Sequence, residues 1–159
     1  LITRIAQLTQ KTNQFNLTTN RYTETEIERF IKDKNYLVLA LKVSDKFGSY
    51  GVTALSVIKL DKCKSIAKID TFLMSCRIIG RKVELKFADY LIKEMYNMGI
   101  REIYGKYLKT LKNTQVADFF DKVGFKLFEH NGNKKTYKLD LAWYKGCDVD
   151  FIKISDHKK

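Results

Sequence analysis

Proline is absent from this chain of 159 residues, and glycine is sparse, with eight residues. Interdomain linkers are usually rich in proline, glycine or serine, and no such stretch occurs here. The chain is therefore predicted to fold as one domain. Apolar runs stay well short of the ~18 residues that a transmembrane helix needs. No basic stretch leads into an apolar one, as in a secretory signal. We expect a cytoplasmic protein without membrane contact.

Cysteine is also scarce. The three residues Cys63, Cys76 and Cys147 form no C-x-x-C pair, and the chain has only two histidines. An odd, scattered set of this kind argues against a disulfide framework and against a zinc site. The sequence therefore predicts a protein of a reducing compartment, with no metal.

Negative charge is in short supply. Thirty Lys and Arg residues face eighteen Asp and Glu, which leaves a net charge of +12, and only six of the thirty are Arg. The lysines alternate with apolar residues along the whole chain, whereas nucleic-acid binders more often cluster arginine on one face. We therefore expect no nucleic-acid partner. A phosphate-bearing ligand or an acidic protein fits this surface better.

The hydrophobic pattern alternates between helical and strand periods. Val83, Phe87, Leu91 and Met95 form one stripe of a helix that ends at 97–99. The other predicted helices are 3–12, 25–33 and 110–123, and the predicted strands are 36–43, 51–60, 66–74, 101–107, 125–129 and 135–141. This order is typical of an α+β fold with a mixed, mostly antiparallel sheet and helices on both faces.

The predicted domain spans residues 1–146, and residues 147–159 are expected to form a loose C-terminal extension. The chain opens with Leu1 rather than Met. We therefore expect it to be a fragment of a longer protein.

One loop carries a chemical signal. The strand ending at Met74 is followed by Arg77, Gly80 and Arg81 and then by the helix that starts at Val83. A helix N-terminus presents unpaired N–H groups, and glycine lets the backbone approach a ligand closely. This arrangement predicts a pyrophosphate-binding loop. An ordinary strand-to-helix turn would also use a glycine.

The segment Arg77-x-x-Gly80-x-Lys82 resembles the R/Q-x-x-G-x-G/A pyrophosphate loop of the GNAT acyltransferases. The later Asn113 and the run from Phe119 to Phe125 resemble that family's helix ending in a Gly-Phe step. The resemblance implies a GNAT-like fold and an acyltransferase that binds coenzyme A or a phosphopantetheine thioester. The residues it assigns to that ligand are Met74, Ser75, Cys76, Arg77, Gly80, Arg81, Lys82, Val83, Asn113 and Phe120.

Three blocks resemble one branch of the family, the C-terminal domain of FkbH-like proteins. They are residues 10–19, residues 45–51 and residues 72–77. Those proteins are fusions of a HAD phosphatase with an acyltransferase domain, and they load glyceryl-type acyl units onto acyl carrier protein. The resemblance implies both partners here: a carrier protein, and a HAD-type phosphatase domain in the same parent chain. An amine N-acetyltransferase using acetyl-CoA and a non-catalytic carrier-docking module are the alternatives.

Two positions depart from the family pattern. Lys82 stands where the loop has Gly or Ala, and its side chain is awkward if the backbone must lie against phosphate. Phe120 stands where acetylating relatives carry a tyrosine general acid, and a phenyl ring cannot protonate a leaving thiolate. This second departure weakens the amine-acetylation interpretation.

Four further residues have two interpretations each. Cys76 is a candidate catalytic, acyl-accepting thiol, since Arg77 and Arg81 favour its thiolate near a helix N-terminus; a buried packing cysteine is the alternative. Asn113 either caps its helix or binds a pantetheine amide, or does both. Gln14 and Asn16 either line the acyl pocket or cap a turn.

Overall fold

The computed structural model describes residues 1–157. Its helices are α1 (Ile2–Lys11), α2 (Glu24–Lys32), α3 (Val83–Asn97) and α4 (Phe119–Val123). Its strands are β1 (Phe15–Asn16), β2 (Tyr36–Asp45), β3 (Gly48–Asp61), β4 (Ile66–Met74), β5 (Glu102–Leu108), β6 (Lys126–Asn131) and β7 (Lys134–Asp140).

The helices begin and end where local chemistry favours it. Thr23 and Glu26 form a capping box at the start of α2, each side chain accepting the other's backbone N–H. The chain leaves α3 through Gly99, whose φ of 88° is left-handed and suits a residue without Cβ. The start of α2 lies one residue from the predicted start at 25, and α3 ends at Asn97, within the predicted 97–99.

The sheet runs in the order β2-β3-β4-β5-β7-β6, with β1 paired to β4 off this path. Every pairing is antiparallel except that of β4 with β5. Parallel neighbours need a crossover connection, and α3 supplies it. The predicted α+β fold with a mixed, mostly antiparallel sheet is therefore confirmed.

Two apolar clusters cover opposite faces of the sheet. One packs α1 and α2 against Leu55, Val57 and Leu73. The other packs α3 and α4 against residues such as Ala54 and Phe72. Because neighbouring residues of a strand point to opposite faces, α1 and α3 lie on opposite sides of the sheet.

The predicted helix 110–123 is wrong over its first half. Thr110–Asn113 forms a turn, Thr114–Val116 a 3₁₀ turn, and only Phe119–Val123 is helical. The hydroxyl of Thr110 accepts the N–H groups of Lys112 and Asn113 at 3.2 Å. These side-chain bonds replace the helical ones, a competition that Thr and Asn often win.

The predicted loose extension contacts α3 over its described part. Val149 is only 6% exposed. Lys86 donates to its carbonyl at 2.9 Å, and Tyr90 donates to Asp156 at 2.6 Å. Residues 158 and 159 lie outside the described part of the chain. No helix within residues 1–157 is long and apolar enough to cross a membrane.

Candidate functional site

The parallel strands β4 and β5 separate halfway along their length. They pair from Ile66 opposite Glu102 to Ile69 opposite Gly105 and then part. Asp70 is an extra residue of β4 at this point, because Val57 pairs with Thr71 and Ile58 with Ile69. Such a bulge bends its strand. We call the opening beyond it the β4–β5 fork.

The chain's own segment β1 fills the fork. Phe15 pairs with Met74 and Asn16 with Leu73. The N–H of Leu17 donates to the carbonyl of Phe72 at 3.2 Å, and its carbonyl accepts from the N–H of Leu108 at 2.8 Å. Leu17 therefore ties β4 to β5 where the two strands no longer meet. The sequence did not predict this strand, since two residues carry no periodic signal.

Asn113 locks β1 in place. Its amide donates to the carbonyls of Asn16 and Leu108, both at 2.9 Å. Its side-chain oxygen accepts the Thr110 N–H at 2.8 Å and the Tyr107 hydroxyl at 3.2 Å. The side chain is fully buried and both amide hydrogens are used, so it neither caps the following turn nor holds a free donor for pantetheine.

Asn16 is also fully buried. Its amide donates to the carbonyl of Thr12 at 3.1 Å, and its side-chain oxygen accepts the N–H of Thr19 at 2.9 Å. These bonds close the turn after α1, which is the turn-capping alternative for this residue. Gln14, by contrast, is exposed and lies on the wall of a cleft described below.

The loop between β4 and α3 presents a run of free N–H groups. Gly80 and Lys82 have φ angles of 86° and 61°, both left-handed. Within the described chain, the N–H groups from residue 80 to residue 85 have no hydrogen-bond acceptor. Turns of this kind at a helix N-terminus form concave anion sites. Glycine adopts such a φ freely, whereas Lys82 adopts it at a cost of about 1 kcal/mol.

A hairpin tip holds one cation of this loop. Arg81 lies 3.2 Å from the carboxylate of Asp45 and 3.1 Å from the hydroxyl of Tyr50, and it stacks 4.9 Å from the Tyr50 ring. The Phe47 N–H, then the Tyr50 hydroxyl and Arg81, lower the pKa of Asp45. The β2–β3 hairpin therefore reaches across to the loop.

A cleft of about 920 Å³ opens at the carboxyl end of β4. Its walls come from α1, residues 12–15, residues 74–77 and residues 111–112, and we call it the α1 cleft. Ser75 stands on this wall with its N–H donating to the Thr53 carbonyl at 2.7 Å. Among residues 1–157 no Asp or Glu lines the cleft. Its charged residues are Arg4, Lys11, Arg77 and Lys112.

Cys76 is exposed on the wall of the α1 cleft. The packing interpretation of this thiol is therefore wrong. It also lies seven positions before Val83, at the start of the 3₁₀ turn Cys76–Ile78 rather than of α3. The N–H groups of Cys76 and Arg77 have no acceptor among the described residues and are therefore free to donate to a ligand.

Phe120 is buried on the opposite face of the sheet, with 1% exposure. The far end of its ring lies 2.3 Å from where a Cβ on Gly105 would stand. The glycine of β5 therefore makes room for this ring, which is a packing residue in this chain. No group of three or more His, Cys, Asp or Glu that could hold a metal occurs in residues 1–157.

Three solved structures of similar fold are named as N-acetyltransferases. Spermidine N-acetyltransferase SpeG from Vibrio cholerae aligns with a TM-score of 0.66 and 13% identity, over 91% of this chain and 92% of its own. The ribosomal-protein alanine N-acetyltransferase from Escherichia coli gives 0.64 and 9%, over 96% and 93%. The PaiA N-acetyltransferase from Thermoplasma acidophilum, in complex with coenzyme A, gives 0.57 and 19%, over 74% and 68%.

These likenesses show that the chain has the GNAT fold. No protein-family model matches the sequence, and no curated protein sequence does either.

Proposed function

We propose that this chain is an acyltransferase that takes its acyl group from acyl-coenzyme A and passes it to an amine. One observation carries the proposal: the run of free N–H groups at residues 80–85, on the left-handed turns of Gly80 and Lys82, in a GNAT fold. Coenzyme A supplies a diphosphate for these groups and a thioester as the activated acyl donor. The structures of similar fold are named as N-acetyltransferases, which supports an amine acceptor.

The chain's own part in the reaction is positioning. The free N–H groups of Cys76 and Arg77 face the α1 cleft and can polarise a thioester carbonyl. The acceptor's neutral nitrogen attacks the carbonyl carbon, the C–N bond forms and the C–S bond breaks. The electron pair leaves with sulfur, and the nitrogen's proton passes to solvent or to that sulfur. The fork itself is filled by Phe15, Asn16 and Leu17, so the donor's arm must enter beside β1.

A second candidate is transfer to or from the phosphopantetheine thiol of an acyl carrier protein, as the FkbH-like resemblance implies. Phe120 favours it, because this position supplies no general acid and a thiolate needs less help to leave. Lys82, Lys109 and Lys112 are the proposed contacts for an acidic carrier. Leu111 between them is fully exposed, which suits a protein partner. The HAD-type phosphatase domain of the parent chain belongs to the same proposal.

The test has two arms. Acetyl-CoA and holo-acyl carrier protein are titrated separately by calorimetry, and transfer is followed by release of free thiol. Binding of acetyl-CoA with transfer to an amine supports the main proposal. Transfer only with holo-carrier protein supports the second candidate. Carrier binding without turnover identifies a docking module, and binding of neither ligand contradicts an acyltransferase.

A further inference from the structure

The α1 cleft carries an unbalanced set of charges. Arg4, Lys11, Arg77 and Lys112 line it, and no carboxylate does within the described residues. Among residues 1–157 four of the chain's thirty Lys and Arg residues, Arg81, Lys93, Lys122 and Lys138, have a carboxylate within 3.4 Å. An unpaired cation is therefore common in this chain, and the distinguishing feature of the cleft is that four of them meet there. The cleft is therefore a place where positive charge is gathered without its own counter-ion.

Arg4 is the most informative of the four. It is half-buried, and its side chain makes no hydrogen bond or ion pair with any residue in 1–157. An arginine side chain without a partner in the protein has all five of its N–H donors available to a ligand. A ligand with acceptor oxygens, bound in the cleft, would satisfy it.

The helix sets the spacing of the cations. Arg4, Gln7 and Lys11 are three and four residues apart, so they form one line on the face of α1 that borders the cleft. Residues seven apart lie about 10 Å from each other along a helix. Arg77 lies across from this line, and its guanidinium has only 3.5 Å contacts, with the Ser75 hydroxyl and the Tyr50 carbonyl. An anion in the cleft can therefore be held from two sides.

The cleft lies on the side of α1, whereas the free N–H groups at residues 80–85 lead into α3 on the opposite face of the sheet. A diphosphate at those N–H groups therefore leaves the α1 cleft open for the second substrate. Cys76 and Arg77, whose free N–H groups suit the thioester carbonyl, stand on its wall.

We propose that the acceptor is a small primary amine that also carries a carboxylate or a phosphate, bound by Arg4, Lys11 and Arg77 in the α1 cleft. The inference rests on the proposed acyltransferase function and names its substrate class. A volume of about 920 Å³ fits a small molecule or a short peptide end. The four cations of the cleft, with no carboxylate beside them, would repel a positively charged polyamine. Spermidine, which appears in the name of one protein of similar fold, is such a polyamine.

The experiment compares acceptors that differ in charge. Spermidine, glucosamine, glucosamine 6-phosphate and an aspartate-rich dipeptide are offered with acetyl-CoA, and the binding of each alone is measured by calorimetry. We expect the two anionic amines to have kcat/KM at least tenfold above glucosamine, with spermidine lowest. Comparison of glucosamine 6-phosphate with the aspartate-rich dipeptide shows whether the cleft prefers a phosphate or a carboxylate. Preference for spermidine or glucosamine, or for holo-carrier protein over every small amine, would overturn the inference.

Two variants of equal net charge provide the control. Arg4→Gln with Lys11→Gln should raise the KM or Kd of the anionic amine at least tenfold, with the Kd of acetyl-CoA unchanged. Lys34→Gln with Lys126→Gln, at exposed positions outside the cleft, should change neither value. Equal effects of both pairs would mean that only the overall charge attracts the anion, which overturns the site.

Binding separates the two proposals. Anion binding through Arg4 without any acyl transfer would contradict the acyltransferase proposal and would still support an anion-binding site in the α1 cleft. Acyl transfer without any preference for an anionic acceptor would support the acyltransferase proposal and contradict the anion-binding role of the α1 cleft. Displacement of the anionic amine by coenzyme A alone would assign the cations to the donor and overturn the inference.

Discussion

The β4–α3 loop and the α1 cleft meet at Arg77 but present different kinds of groups to a possible ligand. The loop offers backbone N–H groups, held by the left-handed turns of Gly80 and Lys82. The cleft offers side-chain charges from α1 and from the loops around it. A site built from backbone is fixed by the fold and by one or two glycines. A site built from side chains can change with single substitutions, so the shared fold leaves the acceptor open.

The largest effect is expected at Asn113, which holds β1 in the β4–β5 fork next to the α1 cleft. Asn113→Asp keeps the shape but removes both amide donors and sets a charge against the carbonyls of Asn16 and Leu108. Unpaired buried groups of this kind cost about 3 kcal/mol or more in the free energy of unfolding. Denaturant midpoints measure the loss, with the exposed Asn133→Asp as control. Equal stability of the two variants would show that Asn113 does not hold β1.

The loop is tested next. Gly80→Asp places a carboxylate on the run of free N–H groups and should weaken coenzyme A binding at least tenfold, about 1.4 kcal/mol. Gly99→Asp is the matched control, because its φ of 88° resembles the 86° of Gly80 and a Cβ meets nothing within 4 Å at either position. Calorimetry gives both affinities. If the two variants bind equally well, the loop is an ordinary turn.

The tether on Arg81 predicts a smaller change. Asp45→Asn should release this guanidinium toward the loop and tighten coenzyme A binding about twofold. The pKa of Asp45 is lowered in the folded protein, so the carboxylate stays charged and holds Arg81 at any pH above that value. As the pH falls through the folded-state pKa, Asp45 is protonated and the ion pair is lost. Binding to the wild type should therefore tighten toward acid pH, and binding to the variant should change less. Asp150→Asn controls for net charge, and weaker binding of Asp45→Asn would show that Asp45 positions Arg81.

Cys76 is expected to matter least for stability. Cys76→Ala should leave the Tm within about 1 °C, because the thiol is exposed and packs into no core. Intact-mass analysis after incubation with an acyl thioester tests the acyl-accepting role, with the exposed Cys63→Ala as control. An adduct lost only in Cys76→Ala, together with loss of transfer, identifies a covalent relay. Transfer that survives the substitution identifies direct attack by the acceptor.

The sequence predicted the loop better than the cleft, for a physical reason. Glycine, cations and a helix start within seven consecutive residues are a local pattern, and the strand and helix around them follow hydrophobic periods. The cleft instead joins Arg4, Lys11, Arg77 and Lys112, which are far apart in sequence and carry no pattern among thirty cations. Gln14 and residues 74–77 were singled out from the sequence and do line the cleft, whereas the meeting of Arg4, Lys11 and Lys112 with them is a tertiary contact that leaves no pattern in the sequence.

The same distinction explains the errors. Helix 110–123 was predicted from an apolar stripe that lies within 116–123, and its extension back to Thr110 is wrong because side-chain hydrogen bonds form a turn there. The burial of Asn16 and Asn113 depends on a contact between residues 97 positions apart. Polar residues of this kind suggest a ligand site in a sequence, and in this fold they hold β1 instead.

The filling of the fork by β1 has a consequence for how the chain folds. The bonds from Leu17 to Phe72 and Leu108 join segments separated by 55 and 91 positions, whereas hairpins β2–β3 and β6–β7 close over short loops. Contacts so distant in sequence require a large loss of chain entropy before they form. We expect the hairpins and α3 to assemble first and the N-terminal segment to insert last. Amide hydrogens of residues 15–17 should accordingly exchange with solvent faster than those of β3, because release of β1 from the β4–β5 fork requires only a partial unfolding.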